Sequence, residues 1–159
     1  MEKEKALLVA VNVNNEKYFE ESVEELELLV KACDMIPIGT LFQNLDAVNT
    51  AYYVGSGKLS EIKQEILARN VDVVIFNSEL SPTQLRNLQN KLDIAILDRT
   101  ALILQIFAIR AKTKEAKLQV EIASLQYMLP RLVGLHTSLG RQGGGASLSN
   151  KGSGEKKLE

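Results

Sequence analysis

Asp72-Val73-Val74-Ile75-Phe76 is the stretch that decides the fold, because every side chain after its first residue is apolar and most are β-branched. A short run that is apolar on both faces is typical of a strand buried inside a parallel sheet. Leucine and isoleucine recur at helical spacing on both sides of it, at Leu59, Ile62 and Ile66 before it and at Leu85, Leu88 and Leu92 after it. Strands that alternate with helices predict an α/β fold with a small parallel sheet flanked by helices.

The remaining strands and helices are predicted from the same two patterns, short apolar runs for strands and helical spacing for helices. Apolar runs predict further strands at Lys5–Asn12, Ile36–Leu45 and Ile94–Leu97, which makes about four strands in all. Thr50–Val54 either extends the second strand or forms another one. Acidic residues and helical spacing predict an amphipathic helix over Glu20–Cys33.

Ser81-Pro82-Thr83-Gln84 has the composition of a helix N-terminus. Serine is a favoured N-cap, proline is tolerated at the first helical position, and glutamine at the third position completes a capping box. We therefore predict that a helix begins here and buries the Leu85, Leu88 and Leu92 face.

From Arg99 onward the apolar residues recur only at helical spacing. Ala101–Arg110 is apolar almost all round, and Lys114–Leu129 carries a narrow apolar seam at Leu118, Ile122, Leu125 and Leu129. A seam of this kind needs a partner helix, and Pro130 either bends or ends the helix. We predict three parts: an α/β subdomain over 1–98, a long-helix arm over 99–137 that is half of a helical hairpin, and a Gly-rich basic loop with the start of a truncated second helix over 138–159.

Residues 141–157, here called the basic Gly-rich segment, contain five glycines and four cations and no apolar run to bury. Such a segment cannot build a core, but glycine lets bare backbone N–H groups approach a polyanion closely. We therefore predict contacts with RNA phosphates from the segment and its flank, through Arg131, Arg141, Gln142, Gly143, Gly144, Gly145 and Lys151. Lys114 and Lys117 are further candidates, since they share one helix face.

Composition and charge limit the classes of function. The chain of 159 residues is 45% hydrophobic and 25% charged, which is typical of a globular protein, and it has no apolar stretch of the roughly 18 residues that span a bilayer. Residues 1–109 hold 10 Lys and Arg against 16 Asp and Glu, whereas residues 110–159 hold 9 against 4. An acidic body with a basic end is expected where only one part meets nucleic acid. The single cysteine, Cys33, fits a cytoplasmic protein and, with one histidine, argues against a zinc site.

Gly55-Ser56-Gly57-Lys58 lies between a strand-like run and a helix, so it is a possible anion-binding site. It does not match the phosphate-binding loop of nucleotide hydrolases. That pattern requires glycine where Tyr52 stands and serine or threonine where Leu59 stands. We favour the simpler explanation, in which the two glycines only turn the chain into the helix.

The same chain resembles the HflX family of ribosome-associated GTPases. The motifs that carry the resemblance are Tyr53–Lys58, Glu79–Leu88, Asp98–Leu104, Lys117–Glu121, Leu129–Leu132, Arg141–Gly145 and Gly152–Lys156. Their order is specific, although each motif alone is weak, and Ser153 stands where the family often has proline.

The resemblance implies the N-terminal region of a GTPase that splits or rescues stalled ribosomes and docks on the RNA of the large subunit. It places GTP and Mg²⁺ in a following GTPase domain, so this chain is expected to bind no cofactor and no metal of its own and to have no GTPase activity. Two alternatives stay open: a domain that binds or hydrolyses adenine nucleotides through Gly55–Lys58 and Arg99, or an intramolecular regulator of the GTPase domain.

Overall fold

The computed structural model describes the backbone of residues 2–142 and the side chains of residues 2–132. Its four strands are β1 (Lys5–Val13), β2 (Ile36–Leu45), β3 (Val73–Phe76) and β4 (Ala95–Asp98). They form one sheet in the order β2-β1-β3-β4, and every pair of neighbours is parallel. The predicted α/β class with a four-stranded parallel sheet is thus confirmed.

The described residues form five helices, of which four cover the two faces of the sheet and the fifth packs on two of them. They are α1 (Phe19–Ala32), α2 (Ser56–Arg69), α3 (Pro82–Leu92), α4 (Arg99–Arg110) and α5 (Lys114–Gln142). One core cluster joins alternate residues of β1, such as Leu7 and Val9, to α2 and α3, and the other joins Leu8 of β1 to α1 and to Leu102 of α4. The period of two along a strand therefore directs successive side chains into two separate cores.

Thr50–Val54 is a turn and not a strand. The side-chain oxygen of Asn49 accepts hydrogen bonds from the backbone N–H of Ala51 (2.8 Å) and of Tyr52 (2.7 Å), which folds the chain back on itself. Tyr53 takes a positive φ of 68° at the end of this turn, and its ring packs edge-on against Phe76 at 5.8 Å between centroids. The polar side chain of Asn49 thus overrides the strand preference of the two tyrosines.

The predicted start of α3 is confirmed in detail. Ser81 accepts a hydrogen bond from the backbone N–H of Gln84 (3.1 Å), and the Gln84 side chain accepts one from the backbone N–H of Ser81 (2.9 Å). The Gln84 side chain also donates to the Asn49 carbonyl at 2.8 Å, so the cap also fixes the preceding turn.

Ser81→Ala is expected to lower the free energy of unfolding by about 1 kcal/mol, because it removes the acceptor for one helix N–H. Urea denaturation measures the change. Ser60→Ala, a substitution on the exposed face of α2, serves as the control and is expected to have little effect. Equal stability of Ser81→Ala and the parent would contradict the capping role.

The helix α5 differs from the prediction at its C-terminal end. It continues through Pro130 to Gln142 and so passes residue 137, where a loop was expected to begin. α4 contributes Leu102, which is fully buried, to the second core cluster, so this helix covers the sheet and does not stand away from it. The predicted division at residue 98 and the partner helix of a hairpin stay predictions.

Candidate functional site

The carboxyl ends of β3 and β4 carry a cluster of polar side chains at one edge of the sheet. Asn77 follows β3, Asp98 ends β4 opposite Phe76, and Arg99 begins α4. Asn77 and Asp98 are buried, at 8% and 2% exposure. In parallel α/β sheets this edge is where ligands bind, so the cluster is a candidate site.

Arg99 is held inside this cluster by three groups. Its Nη1 donates to Asn77 Oδ1 (2.6 Å) and to the Ser22 carbonyl (3.2 Å), and its Nη2 forms an ion pair with Glu25 of α1. The Asn77 amide also donates to the Ser22 hydroxyl at 3.0 Å. The guanidinium therefore joins the sheet edge to α1. An adenine-nucleotide site at Arg99 would need a free guanidinium, whereas this one is bonded to protein groups.

Asp98 is the most heavily bonded acceptor of the cluster. Oδ1 accepts from the backbone N–H of Ala101 (2.9 Å) and so caps α4, while Oδ2 accepts from the backbone N–H of Leu80 (2.9 Å) and from the hydroxyl of Tyr127. The buried carboxylate is thus compensated by three donors. The bond from Tyr127 was not predicted, since Tyr127 is a helical residue with no motif around it.

Tyr127 remains a hydrogen-bond donor at neutral pH. Burial raises the pKa of its hydroxyl well above the ordinary value, and the bond to the Asp98 carboxylate raises that pKa further. The phenol therefore does not serve as a general base here, and its role is to tie α5 to the end of β4.

Arg131 is also bonded to protein groups rather than presented to solvent. Its side chain is 10% exposed, its guanidinium lies 3.7 Å from the centre of the Tyr127 ring, and Nη1 donates to the Tyr127 carbonyl at 2.8 Å. Nη2 donates to the Leu80 carbonyl and lies 3.4 Å from Glu79. These contacts direct the charge of Arg131 toward the body of the protein, and its predicted contact with RNA phosphates stays a prediction.

Gly55, Ser56, Gly57 and Lys58 form the N-terminus of α2, as predicted. Gly55 is the N-cap residue and donates its N–H to the Gln43 side chain at 3.1 Å. Lys58 is 17% exposed and bonds Glu61 at 2.8 Å. A Cβ added at Gly57 would meet nothing within 4 Å, so no close contact requires a glycine there. This geometry fits a turn into a helix, and the lysine is neutralised by its neighbour.

Lys114 and Lys117 lie exposed in the first turn of α5. Arg141 and Gln142 end the same helix, outside the described side chains. At 1.5 Å per residue the two ends of α5 are about 40 Å apart. The two lysines therefore lie far from the residue at which the basic Gly-rich segment begins, although the sequence places them in one basic region. Gly143, Gly144, Gly145 and Lys151 lie outside the described residues.

An N-K-x-D tetrapeptide, the pattern with which GTPases recognise guanine, occurs at Asn90-Lys91-Leu92-Asp93. It forms the C-terminal end of α3. Leu92 is buried in the core, and Asp93 is the C-cap residue at a φ of 53°, with its N–H bonded to the Gln89 carbonyl. The four residues terminate a helix, and we assign them no role in nucleotide recognition.

The apolar seam of α5 is open to solvent. Leu118, Ile122, Leu125 and Leu129 are 51%, 54%, 49% and 54% exposed, respectively. An apolar cavity of about 400 Å³ lies beside it, between α3, α4, α5 and the end of β4, with Leu85, Leu104, Met128 and Leu132 in its lining. Exposed apolar patches of this extent are typical of surfaces that another segment covers.

Neither a cluster of metal ligands nor a membrane-spanning helix occurs in the part of the chain that the structure describes. Three or more Asp, Glu, His or Cys side chains nowhere come together there in a way that would hold a metal ion. In that same part, no helix has the length and apolar character of a membrane span.

Two protein families match successive parts of the sequence. Residues 20–108 match the family described as GTP-binding GTPase N-terminal, and residues 110–159 match the one described as GTP-binding GTPase Middle Region. The boundary between them coincides with the end of α4 at Arg110.

Individual proteins agree with these families. GTPase HflX of Alkalihalophilus pseudofirmus is 48% identical over 157 residues, and GTPase HflX of Escherichia coli is 41% identical over 156 residues. Each match covers 98% of this chain, which spans only 37% and 36% of the two relatives. A crystal structure of a GTP-binding protein from Sulfolobus solfataricus, in complex with GDP, superposes with a TM-score of 0.61 at 27% identity, over 84% of this chain and 40% of that one.

Proposed function

The chain belongs to the HflX family of GTPases, of which it matches the N-terminal and middle regions, and on this premise we propose that it is the part that binds the RNA of the large ribosomal subunit. The basic Gly-rich segment is the proposed contact, with Arg141, Gln142, Gly143, Gly144, Gly145 and Lys151 as its main residues. A following GTPase domain would be the second partner and would bind GTP and Mg²⁺.

The observation that carries the proposal is the position of this segment at the end of α5. The helix has 29 residues, which corresponds to about 43 Å at 1.5 Å per residue, and its last two residues begin the segment. In sequence, a long helix thus leads from an acidic body directly into a segment rich in glycines and cations. That arrangement suits a polyanion with a recessed surface, such as folded RNA.

The chemistry of the segment favours phosphate over base recognition. Residues 138–159 contain no aromatic side chain that would stack on an unpaired base. Glycine N–H groups and arginine or lysine side chains bind phosphate oxygens without regard to sequence. Binding is therefore expected to depend on RNA shape and on salt concentration.

The proposal is tested by measuring the binding of this chain to purified large ribosomal subunits at two salt concentrations. We expect binding that weakens as salt increases, together with no comparable binding to small subunits. Binding that is absent at low salt, or equal for both subunits, would contradict the proposal.

A second expected result is that the chain does not bind GTP. It lacks the glycine and the serine or threonine of the phosphate-binding loop, where Tyr52 and Leu59 stand, and Tyr52 lies in the Asn49 turn. Isothermal titration calorimetry with GTP and Mg²⁺ measures this directly. A micromolar dissociation constant would show that a nucleotide site exists outside the recognised motifs.

A further inference from the structure

Pro130 lies inside α5 and is the weakest point of this helix. Proline has no N–H, so the carbonyl four residues earlier loses its intrahelical donor, and the ring crowds the preceding turn. Sharp bends in helices occur mainly at such positions. The direction of α5 beyond residue 130 is therefore not fixed by the helix alone.

Tyr127 and Arg131 flank this proline and bind the body of the protein. Tyr127 donates to Asp98 at the end of β4, and Arg131 donates to the Leu80 carbonyl in the loop after β3. The N-terminus of α5 is bonded to Thr113, just before the helix. Among the described side chains, Tyr127 and Arg131 make all of the other hydrogen bonds from α5 to the rest of the protein.

Arg131 also bonds within the helical turn that contains Pro130. Its Nη1 donates to the Tyr127 carbonyl at 2.8 Å, and its guanidinium covers the Tyr127 ring at 3.7 Å. The two side chains thus form one unit, the α5 anchor (Tyr127 and Arg131), which spans the proline and bonds to the end of β4 and to the loop after β3. An anchor placed at a helix-interrupting proline controls direction, whereas one placed elsewhere on the helix would mainly add stability.

We propose that Tyr127 and Arg131 are positioning residues that fix the direction of α5 beyond Pro130 and so place the basic Gly-rich segment. This role rests on the proposed function of that segment. The helix from Arg131 to Gln142 is about 16 Å long, so a change of direction by about 10° moves its end by about 3 Å. That displacement equals the donor–acceptor distance of a hydrogen bond, so it is enough to lose a phosphate contact.

The direction of α5 is measured as a distance between two spin labels, one at Leu67→Cys on α2 and one at Ser138→Cys on α5, with Cys33→Ala as background. The test variant is Tyr127→Phe with Arg131→Met, which removes the anchoring donors and keeps most of the side-chain volume. Tyr18→Phe with Arg110→Met is the matched control, since Tyr18 is 63% exposed and Arg110 is also exposed.

The parent and the control are expected to give one narrow distance distribution, and the test variant one that is at least about twofold wider, because the helix is no longer held at Pro130. A test variant that keeps its helical circular dichroism and the narrow distribution of the parent would overturn the proposal. If the double variant does not fold, Tyr127→Phe alone, which removes a single oxygen atom, is judged by the same criterion.

The measurement needs no RNA, so its outcome is independent of the proposed function. If the parent does not bind ribosomes, the proposed function fails while the distance result stands. If the test variant loses ribosome binding with an unchanged distance distribution, positioning fails and the proposed function stands.

Discussion

Asp98→Ala is expected to lower the free energy of unfolding by about 3–5 kcal/mol, because it leaves the donors of Leu80, Ala101 and Tyr127 without an acceptor and each buried unpaired donor costs about 1–3 kcal/mol. Asp98 is 2% exposed, so water does not replace the lost carboxylate at this site. Urea denaturation followed by circular dichroism measures the change through the transition midpoint. A loss of this size is a large share of the stability of an ordinary domain.

Two further variants test whether the lost stability comes from the missing carboxylate acceptor. Asp98→Asn keeps one acceptor oxygen and the side-chain size, so it is expected to lose about half as much stability as the alanine variant. Asp46→Ala removes an exposed carboxylate and is expected to change stability by less than about 0.5 kcal/mol. A change below about 1 kcal/mol for Asp98→Ala would mean that the three donors find other partners.

The sheet and its helices were predictable because local patterns and tertiary contacts agree there. Val73–Phe76 is apolar on both faces and lies between helices on both faces, and Ser81 with Gln84 forms the cap that its spacing indicates. Thr50–Val54 was not predictable from β-propensity, since the Asn49 side chain decides its conformation through two hydrogen bonds.

The candidate site was predictable only in part, because a sequence shows the charge of a side chain but not its direction. Arg131 was assigned to RNA from its charge, and it bonds Leu80 and Glu79, which lie about 50 residues earlier in the chain. Tyr127 was missed for the same reason, since its partner Asp98 is 29 residues away. Lys114 was grouped with Arg141, although the two residues lie at opposite ends of one long helix.

Substitutions in the basic Gly-rich segment are expected to weaken binding to the large ribosomal subunit more than any substitution on the sheet. Arg141→Ala removes one cation, so it is expected to lower the affinity and to reduce the slope of log affinity against log salt by about 0.7–0.9 for the phosphate contact that is lost. Gly144→Val is expected to weaken binding by blocking the close approach of the backbone, with little effect on folding stability.

Lys58→Ala is the discriminating control for this prediction. Lys58 lies at the N-terminus of α2, is mostly covered and is paired with Glu61, so its loss is expected to leave ribosome binding and its salt dependence unchanged. Titration of each variant against purified large subunits at several salt concentrations gives both quantities. If Lys58→Ala abolishes binding while Arg141→Ala and Gly144→Val bind like the parent, the RNA-binding surface lies on the α/β body, and the long helix serves another purpose.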